Sequence, residues 1–402
     1  MNTPLIRRWF AAAEALQPDT IALRRAIHAE PELGLGTAKT LAKVKAALAG
    51  LPLTYREAGS CSGMIATLEG ARPGRTVLLR GDMDALPMPE DTGLPYRSQT
   101  PNVMHACGHD AHTAMLAGAA RLLAARQPDL AGRILFMFQP GEEGHDGARH
   151  MIQEGLLDDP APDAAFALHV APNLPAGVLG ARVGPMLASA DYFEILVRGH
   201  GGHGAMPHDA IDPMPVACEI VTALQSFVTR RISVFDPVII SVTQIDGGTT
   251  DNVIPETVRM RGSMRALSED TRAKALAAMD RIVGQVALAH ECTAAVTVGV
   301  SYPVTVNDPA AVALAERAIK AALGDEAWRT LPNPIMGSED FSHVLNRVPG
   351  AFVWLGVCPE GETLRTACPC HSNKMTLNEI ALAHGVAAHC ALAETFLAEG
   401  FG

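Results

Sequence analysis

Hydrophobic and polar positions follow two distinct patterns along the first half of the chain. Apolar residues recur every three or four positions at 18–30, 37–49 and 111–126, which predicts amphipathic helices. Short apolar runs at 63–68, 76–79, 134–138 and 164–170 predict strands, and the fully apolar ones are typical of strands buried on both faces. Because the two patterns alternate, they indicate an α/β sheet that is covered by helices.

The order of elements changes near residue 184. Strand, helix, strand, strand, helix and strand patterns follow at 192–197, 211–231, 238–245, 257–264, 268–289 and 294–300. This β-α-β-β-α-β order is typical of a ferredoxin-like α+β domain. Helix and strand patterns resume at 309–323, 351–357 and 377–398. We therefore predict one α/β domain formed by residues 1–186 and 302–402, interrupted by an inserted domain at residues 187–301.

Composition narrows the possible functions. The chain has 402 residues, of which 48% are hydrophobic, so two domains with buried cores are expected. A net charge of −11 and an aromatic content of 4% argue against a general binder of nucleic acid or of anionic membranes. The chain has no run of 18 apolar residues and no signal-peptide core near its start, which predicts no membrane partner and a cytoplasmic location. Nine of the 15 histidines fall between positions 105 and 208, an excess that favours chemistry based on imidazole.

Potential metal ligands and acid–base residues occur in groups that the pattern assigns to the ends of strands. Open α/β sheets form their sites at the carboxyl ends of strands, so we expect these groups to converge. A further candidate, His371, lies in a loop before the last helix. The groups are RGDMD (80–84), HACGHDAH (105–112), GEEG (141–144) and His169.

Two of these groups suggest a specific chemistry. Cys107 and His109 are separated by Gly108, which allows both side chains to turn toward one point. Thiolate, imidazole and carboxylate are ligands for zinc and similar divalent ions. Of the adjacent Glu142 and Glu143, one can bind a metal while the other takes a proton from water, which is the division of work in metal-assisted hydrolysis. Each signal is common by itself, and the joint occurrence is what favours a site.

Other functions use the same residues. A cysteine hydrolase would employ Cys107 as the nucleophile and His109 or His169 as the base, although the surplus of carboxylates and histidines argues against it. A non-catalytic metal or peptide binder would keep the ligands without turnover. The glycine-rich loop at 200–204 suggests phosphate binding, but no P-loop Lys-Ser/Thr follows it.

The chain resembles the dinuclear-metal amidohydrolases that include hippurate hydrolase, N-acyl-amino-acid amidohydrolases and the auxin–amino-acid conjugate hydrolases. This resemblance implies a zinc-peptidase-like catalytic domain with a mixed, mostly parallel sheet. It also implies an inserted ferredoxin-like domain that acts as a lid and forms a homodimer or a higher homo-oligomer. The resemblance runs from residue 28 to the last helix, and its most specific segments are RGDMDALPM (80–88), MHACGHDAH (104–112), FQPGEEG (138–144), GGHGAMPH (201–208), GGTTDNVIPE (247–256) and MGSEDF (336–341).

The resemblance implies two divalent metal ions per subunit, with zinc, manganese, cobalt and nickel as candidates. Glu142 matches the general base, and Asp84 matches an acidic residue that orients a metal-binding imidazole. Asp82 receives no ligand role, because a metal-binding histidine replaces it in several relatives. The residues that match metal ligands, with Cys107 bridging the two ions, are Cys107, His109, Glu143, His169 and His371.

The inserted domain supplies the residues that match substrate contacts. His203 matches a residue that stabilises the tetrahedral oxyanion, often in the partner subunit's site. Asn252 and Arg265 match residues that hold the carboxylate of the substrate. The leading hypothesis is hydrolysis of the amide bond of small N-acyl amino acids, and a dipeptidase or carboxypeptidase of the same family is the alternative. The segments around His145 and His371 depart from the usual pattern, so we expect substrate preference to be affected there.

Overall fold

The structure is a computed structural model, and it describes residues 8–401. The helices, numbered in chain order, are α1 (Arg8–Ala29), α2 (Ala38–Ala47), α3 (His109–Ala124), α4 (Gly147–Gln153), α5 (Pro213–Arg231), α6 (Glu269–Ala289), α7 (Pro309–Leu323), α8 (Ser342–Leu345) and α9 (Ala381–Glu399). The strands are β1 (Leu53–Glu57), β2 (Met64–Glu69), β3 (Arg72–Asp82), β4 (Ala131–Gln139), β5 (Ala164–Ala171), β6 (Leu179–Ala181), β7 (Gly184–Leu187), β8 (Ala190–Arg198), β9 (Gly202–His203), β10 (Val238–Gly247), β11 (Val253–Ile254), β12 (Thr257–Ala266), β13 (Thr293–Tyr302), β14 (Thr305–Asn307), β15 (Trp328–Thr330) and β16 (Gly350–Gly356).

The chain divides into two compact units. The first runs as far as Met186, continues through Val306–Asn333 and includes the chain from Asp340 onward. The second consists of Leu187–Thr305 together with Pro334–Glu339. The sequence did not assign 334–339 to the insert, because only tertiary hydrogen bonds hold it there. In these bonds the amide of Ala188 donates to the carbonyl oxygens of Ile335 and Gly337.

The first unit is built on an eight-stranded sheet with the order β1-β2-β4-β3-β5-β16-β6-β15. Its centre, β4-β3-β5-β16, is parallel, and strands near both edges pair antiparallel. Every residue of β5 is buried, as expected for a strand covered on both faces. Helices α3 and α9 pack against β3, and α1 packs on both of these helices. The α/β fold class with a mixed, mostly parallel sheet is therefore confirmed.

Some elements of the first unit differ from the sequence prediction. Helix α1 includes Trp9 and Ala13, both buried, so it starts well before the predicted position 18. Strand β1 was not predicted, because it is a partly exposed edge strand without an apolar run. Helix α9 is the one helix within 8–401 that is long and apolar enough to cross a membrane, but 83% of its apolar window is buried in the core.

The second unit has the predicted β-α-β-β-α-β order, with a four-stranded antiparallel sheet ordered β10-β12-β8-β13. Helices α5 and α6 pack together and supply apolar side chains to the same core as the inner face of the sheet. Strands β9 and β11 form a short separate ladder in which His203 pairs with Val253. This ladder joins the glycine-rich loop at 200–204 to the loop that precedes β12.

Candidate metal centre

Parallel strands of the first unit bring three of the predicted groups to one edge of the sheet. Strand β3 ends at Asp82, β4 ends just before the Glu142–Glu143 pair, and β5 carries His169 near its end. Because β3 pairs in parallel with both β4 and β5, these carboxyl ends are neighbours. The convergence follows from strand direction.

The group at 105–112 reaches the same place by a different route. Residues 105–112 do not directly follow a strand, since β3 ends at Asp82, so the assignment of this group to a strand end was wrong. His109 is instead the first residue of helix α3. Gly108 caps this helix with a left-handed backbone at φ 82°, and a Cβ there would collide with Val170. Asp110 lies in the first turn of this helix, and its side chain binds Arg24 instead of capping the helix. Glycine thus allows a thiol and an imidazole to flank a tight helix start.

The donor atoms form two groups that share Cys107. One group combines Cys107, His109 and His169, and the other combines Cys107, Glu143 and His371. Within each group the potential ligand atoms lie within 4.8 Å of one another. A sulfur atom that bridges two cations must belong to both groups of ligands, as the Sγ of Cys107 does. The mixture of thiol, imidazole and carboxylate suits divalent transition metals.

The surroundings of His109 give an independent test of this fit. The ring is fully buried, and neither nitrogen makes a hydrogen bond within 3.5 Å among residues 8–401; the nitrogens lie 3.6 Å from carboxylate oxygens of Asp82 and Asp84. Burial lowers the pKa of His109, but the carboxylates of Asp82, Asp84 and Glu143 outweigh it and raise the pKa to about 10. Leaving a buried polar group unpaired costs about 1–3 kcal/mol. Two buried imidazole nitrogens without hydrogen bonds, surrounded by carboxylates, are therefore what we expect at a cation site.

The ring of His169 is held with one nitrogen available. Its Nδ1 donates to the carbonyl oxygen of Val170 at 2.8 Å, so Nε2 keeps its lone pair. This Nε2 lies 3.4 Å from the Sγ of Cys107. Burial lowers the pKa of His169 well below its usual range, which keeps the ring neutral. Together these features prepare His169 to act as a ligand.

His371 reaches the centre from a turn near the C-terminus. Its Nε2 lies 3.1 Å from Oε1 of Glu143, and more than half of the side chain is exposed. Its backbone is left-handed at φ 68°, which is uncommon for a residue with a Cβ. The amide of His371 donates to the carbonyl of Ala106 at 2.8 Å, which holds this conformation beside Cys107.

Asp84 supports the glutamate pair as well as the imidazole. Its two carboxylate oxygens each accept a 3.0 Å hydrogen bond, one from the amide of Glu142 and one from that of Glu143. The Nδ1 of His109 lies 3.6 Å from the same carboxylate. The Oε2 of Glu142 is 3.9 Å from Nε2 of His109. Asp84 therefore positions a candidate base and two candidate ligands at once.

Asp82 belongs to neither of the two groups that share Cys107, and its carboxylate binds His112. The Nδ1 of His112 donates to Asp82 at 2.6 Å, and its Nε2 accepts the amide hydrogen of Val170 at 2.9 Å. The ring thus links β3 to the end of β5, which carries His169. Burial opposes ionisation of Asp82, but Arg80 and the two nearby imidazoles hold its pKa well below the usual range.

Sequence reasoning assigned no role to the residues that balance Arg80. This guanidinium is fully buried and donates to Gln139 at 2.9 Å and to Asp340 at 3.2 Å, in addition to Asp82. Gln139 in turn donates to Asp340 at 2.7 Å. An arginine inside an apolar strand needs buried partners, and this signal could have indicated a counter-charge.

A second buried network lies at the start of α3. Asp110 accepts from Nε of Arg24 and from Nδ1 of His28, both at 2.8 Å. The other nitrogen of His28 contacts Glu90 at 3.2 Å. Burial lowers the pKa of His28, but Asp110 and Glu90 outweigh it and raise the pKa to about 9. This charged cluster fixes the helix turn that carries His109.

We expect the His28 network to make stability depend on pH. A pKa raised from 6.5 to about 9 means that His28⁺ stabilises the folded state fully below about pH 6.5. This contribution, at most about 3 kcal/mol, disappears as the pH rises through 9. The difference in free energy of unfolding between wild type and His28→Gln, measured by urea titration, should therefore shrink between pH 6.5 and 9.

A histidine–glutamate pair at the surface supplies the matched control for this prediction. His290 pairs with Glu219 at 2.7 Å, but both side chains are about half exposed. The free energy of unfolding of His290→Gln should stay within about 1 kcal/mol of wild type. A gap between wild type and His28→Gln that is the same at every pH would contradict the assigned role of His28.

The second unit holds the three predicted substrate contacts. His203 and Asn252 line one open cavity of about 630 Å³. The Nδ1 of His203 accepts the amide hydrogen of Ala205 at 3.0 Å, so its Nε2 carries the proton and is a donor. A donor at Nε2 suits the predicted contact with an oxyanion.

Arg265 lies elsewhere in the second unit. Its guanidinium donates to Ser338 at 2.8 Å and to the hydroxyl of Tyr192 at 3.1 Å. It sits near the end of the ten-residue β12, whereas the loop that carries Asn252 precedes the start of that strand. The ends of such a strand are roughly 30 Å apart. One copy of the unit therefore does not bring Arg265 together with His203 and Asn252.

Comparisons with known proteins show which family and which solved structures this chain resembles. A family model described as peptidase family M20/M25/M40 matches residues 78–395. Thermostable carboxypeptidase 1 of Saccharolobus solfataricus is 38% identical over 388 residues, which cover 94% of this chain and 95% of that protein. N-acetylcysteine deacetylase of Bacillus subtilis is 36% identical over 346 residues, which cover 86% and 90%. A solved Bacillus subtilis structure, described as a dinuclear metal binding peptidase from the M20 family, is 32% identical with a TM-score of 0.80, and the match covers 95% of this chain and 99% of that one.

Proposed function

The chain belongs to peptidase family M20/M25/M40, and on that basis we propose that it hydrolyses the amide bond between an acyl group and an amino acid. At the coarser level it is a metal-dependent amidohydrolase that uses divalent ions. The observation that carries the finer proposal is the position of Cys107 in two donor groups, with Glu142 among the atoms around His109. The proposed ligands are Cys107, His109, Glu143, His169 and His371.

The proposed division of work follows from the contacts of each side chain. When bound, two divalent cations polarise the scissile carbonyl and make a water molecule more acidic. Glu142, held by Asp84 through its amide, takes the proton of the attacking water and delivers it to the leaving amine. Arg265, held by Ser338 and Tyr192, binds the carboxylate of the amino acid.

We also propose that two copies of the chain pair through the inserted unit. His203 and Asn252 are far from Arg265 within one unit, yet all three match residues that touch one substrate. A homodimer in which His203 and Asn252 serve the site of the other copy reconciles these placements. The inserted unit would then act in both dimerisation and substrate closure. The cytoplasmic location stays a prediction.

Two rival activities have specific observations for or against them. Similarity to a thermostable carboxypeptidase favours peptide cleavage as the second candidate. A thiol hydrolase would need a reactive thiolate at position 107. Contact with the Cys370 thiol and burial raise the pKa of Cys107 well above its usual value, which opposes that role.

A substrate panel with metal removal tests the proposed function. We expect hydrolysis of at least one N-acetyl, N-benzoyl or longer N-acyl amino acid, detected as release of the free amino acid. Because the ions supply the Lewis acid, a chelator should lower the rate by at least about 100-fold. Added manganese, zinc, cobalt or nickel should restore it, and metal analysis should find about two ions per chain.

The same panel separates the rivals. Cleavage of dipeptides without any N-acyl amino acid would replace the proposal by the peptidase. Loss of activity on thiol alkylation, without sensitivity to chelation, would indicate the cysteine hydrolase. No hydrolysis by the metal-loaded protein across the panel would contradict both amide-cleaving proposals.

A further inference from the structure

A second thiol lies against the proposed bridging ligand. The Sγ of Cys107 lies 3.4 Å from Nε2 of His169, the Sγ of Cys370 approaches the next residue of the same strand, and both cysteines are free. The Sγ of Cys370 is also 3.9 Å from the carbonyl oxygen of Val170, the residue after His169. Neither the metal ligands nor the general base require a thiol at position 370, so this pair is unexplained by the proposed function.

The backbone around Cys370 holds the two thiols together. The amide of the next residue, His371, donates to the carbonyl of Ala106, the residue before Cys107. A second bond runs from the amide of Asp91 to the carbonyl of Asn373 and anchors the same segment. These bonds tie residues that are far apart in sequence, and they join backbone atoms, so they do not use the side chains of the two cysteines.

The two cysteines differ in exposure. Cys107 is buried, with 8% of its surface exposed, whereas Cys370 is partly exposed. Of the two residues, Cys370 is therefore the more accessible from solvent. Cys370 lies in a turn rather than in a helix or a strand. Bringing the two sulfur atoms to the disulfide bond length of about 2 Å needs local movement, which a turn supplies more readily than a helix or a strand.

We propose that Cys107 and Cys370 form a reversible disulfide when the protein meets a hydroperoxide. The Cys370 thiolate attacks one peroxide oxygen, which forms an S–O bond, breaks the O–O bond and releases the other oxygen as water after protonation. The Cys107 thiol then attacks the sulfenic sulfur, which forms the S–S bond and breaks the S–O bond, and the thiol proton leaves with the second oxygen as water. Two thiols lose two electrons and two protons, and one hydrogen peroxide becomes two waters.

The disulfide would remove the sulfur that both donor groups share. That consequence rests on the proposed function, because it assumes that Cys107 binds metal. Bound metal would in turn shield the Cys107 thiolate, so oxidation should be fastest in the metal-free protein. Reduction by a dithiol restores both thiols. Peroxide would therefore convert the centre between a metal-binding form and a form that is unable to bind.

Peptide mapping tests the disulfide directly. Metal-free and metal-loaded protein are treated with hydrogen peroxide, alkylated without reduction, digested and analysed by mass spectrometry. We expect a linked peptide containing positions 107 and 370, with a mass two hydrogens below that of the two thiol peptides. It should form more slowly in the metal-loaded protein and disappear with dithiothreitol. Metal uptake, measured on the same samples, should fall at least about tenfold in the linked form.

Two variants supply the comparison. Cys370→Ser cannot form the link, so it should keep wild-type metal uptake after a peroxide dose that inactivates wild type. Cys368→Ser, two positions away and also partly exposed, should behave like wild type in every readout. Both should have basal activity close to that of wild type.

The outcomes are separable. Absence of the linked peptide in metal-free wild type, or a link between Cys368 and Cys370 instead, would overturn the disulfide. Equal loss of metal uptake in wild type and Cys370→Ser would also overturn it, since oxidation of Cys107 alone would then account for the effect. A linked peptide with unchanged metal uptake would support the disulfide and contradict Cys107 as a ligand.

Discussion

Replacing Glu142 by glutamine is expected to lower kcat by about a thousandfold or more while both metal ions stay bound. The amide has nearly the same shape, but it cannot accept a proton from water, and positioned acid–base groups contribute about 10²–10⁴ in rate. The backbone bonds that Asp84 makes to Glu142 and Glu143 do not involve the changed side chain, so the site should keep its geometry. Steady-state kinetics and metal analysis of the purified variant are the measurements.

The neighbouring position supplies the matched control. Glu143→Gln removes a proposed ligand instead of the base, so it should lower metal content as well as activity. Full metal content with near-normal turnover in Glu142→Gln would contradict the assignment of the base. Loss of metal in Glu142→Gln, with Glu143→Gln fully loaded, would mean that the two roles are exchanged.

Mixing two inactive variants is expected to restore activity if His203 acts on the other copy's substrate. His203→Ala removes a donor to the oxyanion and should cost about 10²–10³ in kcat. A heterodimer of Glu142→Gln with His203→Ala, purified through two different tags, should regain about half of the wild-type rate per dimer. The reason is that one of its two sites then contains both an intact Glu142 and an intact His203.

The control pairs Glu142→Gln with a chain that carries both substitutions. Every site in that heterodimer lacks Glu142, so it should stay inactive under either arrangement. If His203 serves its own chain, each site of the first heterodimer carries one defect and no activity returns. A chain that is monomeric at working concentration would also contradict the shared site.

The sequence predicted the sheet well where strands are buried. The strand at 134–138 and the strand ending at 170 are apolar because they are buried on both faces, and such runs are easy to identify. The β-α-β-β-α-β order of the insert was recognisable for a similar reason, since its strands and amphipathic helices share one core. The partly exposed β1 has no such pattern.

The site was predictable only as a list of side-chain types. The order of the motifs indicated Cys107, His109 and His169 as candidate ligands. The tautomer of His169 and the grouping of the donor atoms depend on tertiary contacts. The double role of Asp84 toward two backbone amides has no local signal, because the loop that presents those amides follows a different strand. The backbone bond that brings the segment of Cys370 beside Cys107 joins residues that no local pattern relates.

The hydrogen bonds of His112 also constrain how this protein can evolve. Its ring must donate at one nitrogen to Asp82, accept at the other from the amide of Val170 and remain fully buried. Serine or threonine would donate and accept through one atom and fall short of this span, and asparagine or glutamine carries both functions on a single carbon. The proposed metal ligands, by contrast, can exchange among cysteine, histidine and carboxylates. Substitution should therefore be rarer at position 112, which is not among the proposed ligands, than at some of the positions that are.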